Sequence, residues 1–119
     1  MTWQGDALKK RVEPLAGEIG GHLFGHCDVT DPATIDAVFD AAKQAWGKID
    51  FVVHAIAFSD KDQLDGRYVD TTADNFTKTM LISCFSFTAI AQRAGFAPSS
   101  RILSIHTISS PNCAVSSVA

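Results

Sequence analysis

The 119-residue chain lacks most features that would place a protein outside the cell or on a polyanion. Its three cysteines, Cys27, Cys84 and Cys113, are odd in number and show no short paired spacing. Neither a disulfide framework nor a zinc site is expected, and a reduced, cytoplasmic setting is the default. The opening residues, MTWQGDALKK, contain no apolar core of a signal peptide. The longest apolar-leaning run, Met80–Ala91, is twelve residues long and includes Ser83, Cys84, Ser86 and Thr88. A membrane span needs ~20 residues, so this run is expected to be a helix buried on more than one face. The net charge is −3, and the one basic triplet, Lys9–Arg11, fits the solvated face of a helix. Neither nucleic acid nor an anionic membrane is expected as a partner.

Catalytic signatures are sparse too. There is no Gly-x-Ser-x-Gly elbow, no phosphate-binding P-loop and no glycine fingerprint joining a strand to a helix. Gly17, Gly20 and Gly21 end a helix instead. Tyr68 is the one tyrosine. No metal ligand set and no catalytic residue are assigned.

What is present is an alternation of helix and strand signals. Leu8, Val12, Leu15 and Ile19 recur at helical spacing and predict a helix over 6–19, with Pro14 weakening its middle and Gly20-Gly21 ending it. The stretch 22–27, HLFGHC, is a short strand candidate. Asp31 suits an N-cap and Pro32 the first helical position. Ile35, Val38, Phe39, Ala42 and Trp46 form the inward stripe of that second helix, which Gly47 closes. Residues 50–56 form a continuous apolar run, as in a strand covered on both faces of a parallel sheet. A polar loop follows over 59–70. Thr71 with Asp74 resembles a capping box that opens a long helix to about Ala94. Residues 101–106 are a further strand candidate, and the Ser-rich tail shows no period. The expected organisation is 1–94 as a partial dinucleotide-binding domain and 95–119 as a divergent tail. The alternation predicts a parallel α/β sheet with right-handed crossovers. The chain starts on a helix in this reading and supplies about three strands, fewer than the ~5–6 of a typical sheet.

In open parallel sheets, ligands bind beyond the carboxyl ends of strands. One such end is Cys27-Asp28-Val29. A carboxylate there can accept from an exocyclic amine such as that of adenine, while the next N–H donates to the ring. It can equally cap the turn into the Asp31 helix. The other is Ala55-Ile56-Ala57, whose small residues allow either a cofactor or a tightly packed helix against the backbone. His54, inside an apolar run, is expected as a hydrogen-bonded core residue and not a catalyst.

Three stretches, QGDALKKRVEPLA, CDVTDPATIDAVFDAAKQAWGKIDFVVHAIAF and DQLDGRYVDTTADNF, resemble the NADH-dependent enoyl-[acyl-carrier-protein] reductases, a divergent branch of the short-chain dehydrogenase/reductase family. The resemblance covers about Thr2 to Ala94, and VHAIAF followed by QLDGRYVDTT is its most specific part. It implies a partial Rossmann-like, doubly wound parallel sheet without its first strand and C-terminal part. It implies NADH as cofactor, with Gln4 facing the adenosine, Asp28 and Val29 clamping adenine, Ala55, Ile56 and Ala57 lining the ribose and nicotinamide, and Ile82 beneath the nicotinamide. Ala57 and Phe58 would approach an acyl-carrier-protein-linked enoyl substrate. Ser83 receives no catalytic role. The implied reaction is hydride transfer to the β-carbon of a trans-2-enoyl thioester in fatty acid synthesis, with the enolate oxygen hydrogen-bonded by a Tyr and a Lys seven positions later. The helix 72–94 would pair subunits in a homo-oligomer.

The chain departs from that pattern. Tyr68 precedes the long helix, and Thr72 and Asn75 stand four and seven residues after it, where a Lys would be needed. The 119 residues alone are therefore expected to be inactive. The alternatives are a non-catalytic module that binds nucleotide or pairs with another subunit, and another short-chain reductase, against which HAIAF argues. An internal start and a shifted reading frame near the end would account for both departures. Sequencing the flanking DNA tests this: the glycine-rich loop should be encoded upstream and the Tyr–Lys pair downstream in another frame. Flanks encoding neither in any frame refute it.

Overall fold

A computed structural model describes residues 1–94 and the backbone of 101–104. The chain opens on a two-residue strand, β1 (Thr2–Trp3), followed by helix α1 (Gly5–Glu18). β2 (Gly25–His26) pairs with β1 in parallel, Thr2 opposite Gly25 and Trp3 opposite His26. Helix α2 (Pro32–Trp46) leads to β3 (Phe51–His54). Two 3₁₀ turns, Lys61–Gln63 and Tyr68–Asp70, cross the polar loop. A continuous helical rod then runs through α3 (Ala73–Met80), a π-helical turn (Leu81–Phe85) and α4 (Ser86–Arg93). β4 (Arg101–Ser104) pairs with β3 in parallel, from Phe51 opposite Arg101 to His54 opposite Ser104. All pairing among the described residues is parallel, as the alternation of elements predicts.

Local chemistry explains most boundaries. Asp31 accepts from the Ala33 N–H at 3.0 Å and caps α2, Pro32 fills the first turn, and Gly47 closes the helix at φ 73°. A side chain is disfavoured at that positive φ, which is why glycine stands there. α1 ends at Glu18, and Gly20 follows at φ 63° as the expected stop. It passes Pro14 without interruption.

Several expectations are corrected. The chain does not begin on a helix: β1 precedes it, too short to register as an apolar pattern. The strand expected over 22–27 shrinks to two residues, and the one expected over 50–56 to four. β3 is not covered on both faces, because Phe51 and Val53 are exposed while Val52 is half-buried and His54 buried. The expected stripe of α1 is also largely in solvent: Leu8, Leu15 and Ile19 are exposed, and the buried residue is Ala16. Thr72, not Thr71, caps the long helix, accepting from the Asn75 N–H at 3.2 Å. The strand expected to reach His106 is described as far as Ser104, and the rest of the tail, 95–100 and 105–119, lies outside the described residues.

The core forms where α2 meets α4. Ile35, Ala89 and Ile90 are buried together, and Cys27, Val29, Phe39, Val52 and Ile56 pack around them. Trp46, exposed along one side, stands edge-on to Phe24 at 4.6 Å. A cavity of about 540 Å³ lies between the β1–β2 pair and β3, lined by Thr2, Phe24, Phe39, Trp46 and Val53 among others. Deleting buried methylenes removes transfer energy and leaves a void. Ile35→Ala is therefore expected to lower unfolding free energy by about 3 kcal/mol in urea denaturation. Leu15→Ala, on the solvent side of α1, should change it by less than about 0.5 kcal/mol.

Candidate functional site

Two loops leave the carboxyl ends of β2 and β3, and the core draws them together. Val29 from the first and Ile56 from the second pack on the same buried cluster. Two residues expected at the site, 27 positions apart in the chain, thus share one core cluster.

At the first strand end, Gln4 and Asp28 meet: Gln4 Nε2 donates to Asp28 Oδ2 at 2.9 Å. Asp28 Oδ1 accepts from the Thr30 N–H at 2.9 Å and the Thr30 hydroxyl at 2.7 Å. This local turn is the structural role that the sequence left open for Asp28, and it coexists with the contact to Gln4. The Asp28 N–H donates to Thr34 Oγ1 at 2.9 Å, and the same hydroxyl lies 2.8 Å from the Asp28 carbonyl. The Val29 N–H donates to no group among the described residues. Beside it, the Gly5 N–H donates to His26 Nδ1 at 3.2 Å, which fixes that nitrogen as the acceptor. Burial first, and the Asp28 charge second, push the Cys27 thiol up from its usual value and disfavour the thiolate.

At the second strand end, the chain loses its ladder after His54. Ala55 and Phe58 are exposed, while Ile56 and Ala57 are half-buried. Ser83 holds Phe58 by both backbone groups, accepting from its N–H at 3.0 Å and donating to its carbonyl at 3.2 Å. Ile82, half-buried, sits beside Ser83 in the π-helical turn. His54 is buried, with Nε2 2.8 Å from Ser86 Oγ and its ring edge-on to Phe87. Ser86 donates its hydroxyl proton to the Ile82 carbonyl at 2.6 Å, so it accepts from the His54 Nε2–H. His54 is thus the hydrogen-bonded core residue expected. Asn75 accepts from the Asp60 N–H at 3.0 Å, and Lys78 pairs with Asp60 at 2.7 Å.

Sequence patterning gave Ser86 and Asn75 no role and named Ser83 only as non-catalytic. Ser83 and Ser86 stand three positions apart as polar residues within the apolar run Met80–Ala91. Tyr68 is exposed in its 3₁₀ turn, remote in sequence from any Lys at catalytic spacing. Among the described residues, no group of His, Cys, Asp or Glu could hold a metal ion. No described helix is long and apolar enough to cross a membrane.

One strand end offers the Asp28 carboxylate and the Val29 amide, and the other the small residues Ala55 and Ala57. Among the described residues, no glycine-rich turn joins a strand to a helix.

The family model described as enoyl-(acyl carrier protein) reductase matches residues 1–117. Enoyl-[acyl-carrier-protein] reductase [NADH] 1 of Rhizobium meliloti is 73% identical over 94 residues, 79% of this chain and 35% of the relative. The corresponding reductase of Salmonella typhimurium is 41% identical over 107 residues, 87% of this chain and 41% of its own. Among solved structures, the Anaplasma phagocytophilum reductase in complex with NAD superposes with a TM-score of 0.78 at 48% identity, covering 87% of this chain and 40% of that one. The Aquifex aeolicus reductase gives 0.78 at 30% identity, over 87% and 42% of the two chains. The architecture is a partial Rossmann-like fold. The chain spans 35% to 42% of the length of these relatives.

The Asp28 carboxyl is held below its usual 3.8. The Thr30 hydroxyl is the main cause, then the Thr30 amide, with Gln4 and His26 adding and partial burial opposing. A carboxyl whose folded pKa is lowered contributes stability that is complete above the unfolded value and is lost as pH falls through the folded one. Acidification from neutral pH to below 3.8 should therefore weaken the parent chain more than Asp28→Asn, measured by denaturation at a series of pH values. Equal pH slopes would contradict the role of the Thr30 contacts.

Proposed function

Because the chain belongs to the enoyl-(acyl carrier protein) reductase family, we propose that it forms one wall of an NADH site that serves reduction of an acyl-carrier-protein-linked enoyl thioester. The observation that carries this is the meeting of Gln4 and Asp28 beside a Val29 N–H that donates to no described group, together with a second strand end where Ala55 is exposed and Ile56 and Ala57 are half-buried. Asp28 accepts from the adenine amine, the Val29 N–H donates to the ring, and Gln4 orients the carboxylate. Ala55–Ala57 lie along the ribose and nicotinamide, with Ile82 beneath. Ala57 and Phe58 face the acyl chain. NADH supplies the hydride when bound.

The proton-handling part of such a reaction needs a donor to the enolate oxygen and a cation beside it. No Tyr and Lys at suitable spacing occur in these 119 residues. We therefore assign the chain, taken alone, a binding role without turnover. In the cytoplasm it would pair with further copies through the apolar face of the rod 72–94, where Phe76, Met80, Leu81 and Phe85 are exposed.

Calorimetric titration with NADH tests the binding role. The parent chain should give measurable heat, and Asp28→Ala should weaken affinity about tenfold, as expected for loss of a hydrogen bond to a charged acceptor. An NADH-oxidation assay with a crotonyl thioester should stay at background. Absence of any NADH binding refutes the proposed site, and activity that survives repurification refutes the non-catalytic assignment.

A further inference from the structure

The chain that leaves β3 has a problem of backbone satisfaction. His54 is the last ladder residue, and residues 55–60 follow without regular structure. Their N–H and C=O groups need partners that no strand supplies. For Phe58 and Asp60 the helical rod supplies them from side chains. Ser83 takes both backbone groups of Phe58. A hydroxyl can do this because it carries one proton and two lone pairs. Asn75 holds the Asp60 amide, and Lys78 both pairs with Asp60 and stands 4.8 Å from the centre of the Phe58 ring.

Ser83 lies in the middle of the π-helical turn Leu81–Phe85. A π turn is rare and inserts an additional residue into the helix, which changes where its side chains point. Here that turn carries the hydroxyl that meets Phe58. One step beyond it, Ser86 joins His54 to the Ile82 carbonyl. The strand end is thereby fastened at His54 and at Phe58, and Ala55, Ile56 and Ala57 span the interval between the two fastenings.

We propose that Ser83 is a positioning residue: by gripping the Phe58 N–H and carbonyl it sets the path of Ala55–Ala57 beside the cofactor and aims the Phe58 ring at the acyl chain. The cofactor and acyl clauses rest on the function proposed above, whereas the grip on Phe58 does not. The Ser83 hydroxyl contacts protein backbone, so its effect on ligand is transmitted through Phe58.

A pair of variants matched in shape isolates the hydroxyl. Ser83→Thr keeps it and Ser83→Val replaces it with a methyl group. In the ¹⁵N-labelled 119-residue chain, hydrogen exchange of the Phe58 amide, thermal melting by circular dichroism and NADH affinity by calorimetry are compared. Ser83→Val should lose about tenfold or more of the Phe58 protection and weaken NADH binding about three- to tenfold, as loss of a two-way hydrogen bond predicts. Ser83→Thr should restore both, and the two variants should melt alike. Equal Phe58 protection in the two variants overturns the grip. Lost protection with unchanged NADH affinity overturns the positioning role. If the parent binds no NADH, the functional reading fails and the positioning role with it, while the exchange comparison still decides whether Ser83 holds Phe58.

Discussion

A small sheet of parallel strands cannot close its own core, because its faces need helices to cover them. In this chain that requirement falls on the contact of Ile35 in α2 with Ala89 and Ile90 in α4. Cys27, Val29, Phe39, Val52 and Ile56 pack against this contact, Val29 after β2 and Ile56 after β3. The same packing that stabilises the fold therefore brings the two strand ends of the candidate site together. Among the described residues few are fully buried, and the large apolar residues Phe51, Val53, Leu15 and Ile19 are exposed. The fold has little burial in reserve, so a change at Ile35 reaches the site through Val29 and Ile56.

Around this core, hydrogen bonds to small hydroxyl and amide side chains replace the regularity that the sheet lacks. Thr30 and Thr34 fix the loop after β2 around Asp28. Ser83, Ser86 and Asn75 fix the loop after β3. Both loops are irregular, and both are held by short side chains from helices or turns nearby. Short side chains lose little rotamer freedom when they are fixed in this way. At the two strand ends Val29 is half-buried and Ala55 exposed.

Much of this was legible in the sequence, and the limits have physical causes. Asp31, Pro32 and Gly47 announced α2 because capping chemistry is local. Gln4 emerged only through the family resemblance, and Asp28 was left between two readings, since one carboxylate after a strand serves a turn as well as a ligand; here it accepts from Thr30 and Gln4 together. β1 was invisible because two residues carry no period. The apolar run at Phe51–Val53 suggested burial on both faces, yet hydrophobic composition reports what could be covered and not what covers it. Thr71 and Thr72 offer the same hydroxyl one position apart, and tertiary contacts decide between them: Thr71 instead accepts from the Asn75 side chain. The π turn has no signature in LISCF, so neither the direction of Ser83 nor its hold on Phe58 could be read.

That π turn also bears on how such a chain can change in length. One residue added to an α-helix rotates all that follows by about 100°, which here would turn Ala89 and Ile90 away from Ile35. A widened turn absorbs the added residue locally, so α3 and α4 keep their faces. Gains and losses of a single residue within 81–85 would therefore reshape the wall beside Phe58 while leaving the core contact in place. The rod separates the two demands along its length: its ends are constrained by packing, and its middle is where descendants of this sequence can vary the pocket by insertion and deletion as well as by substitution.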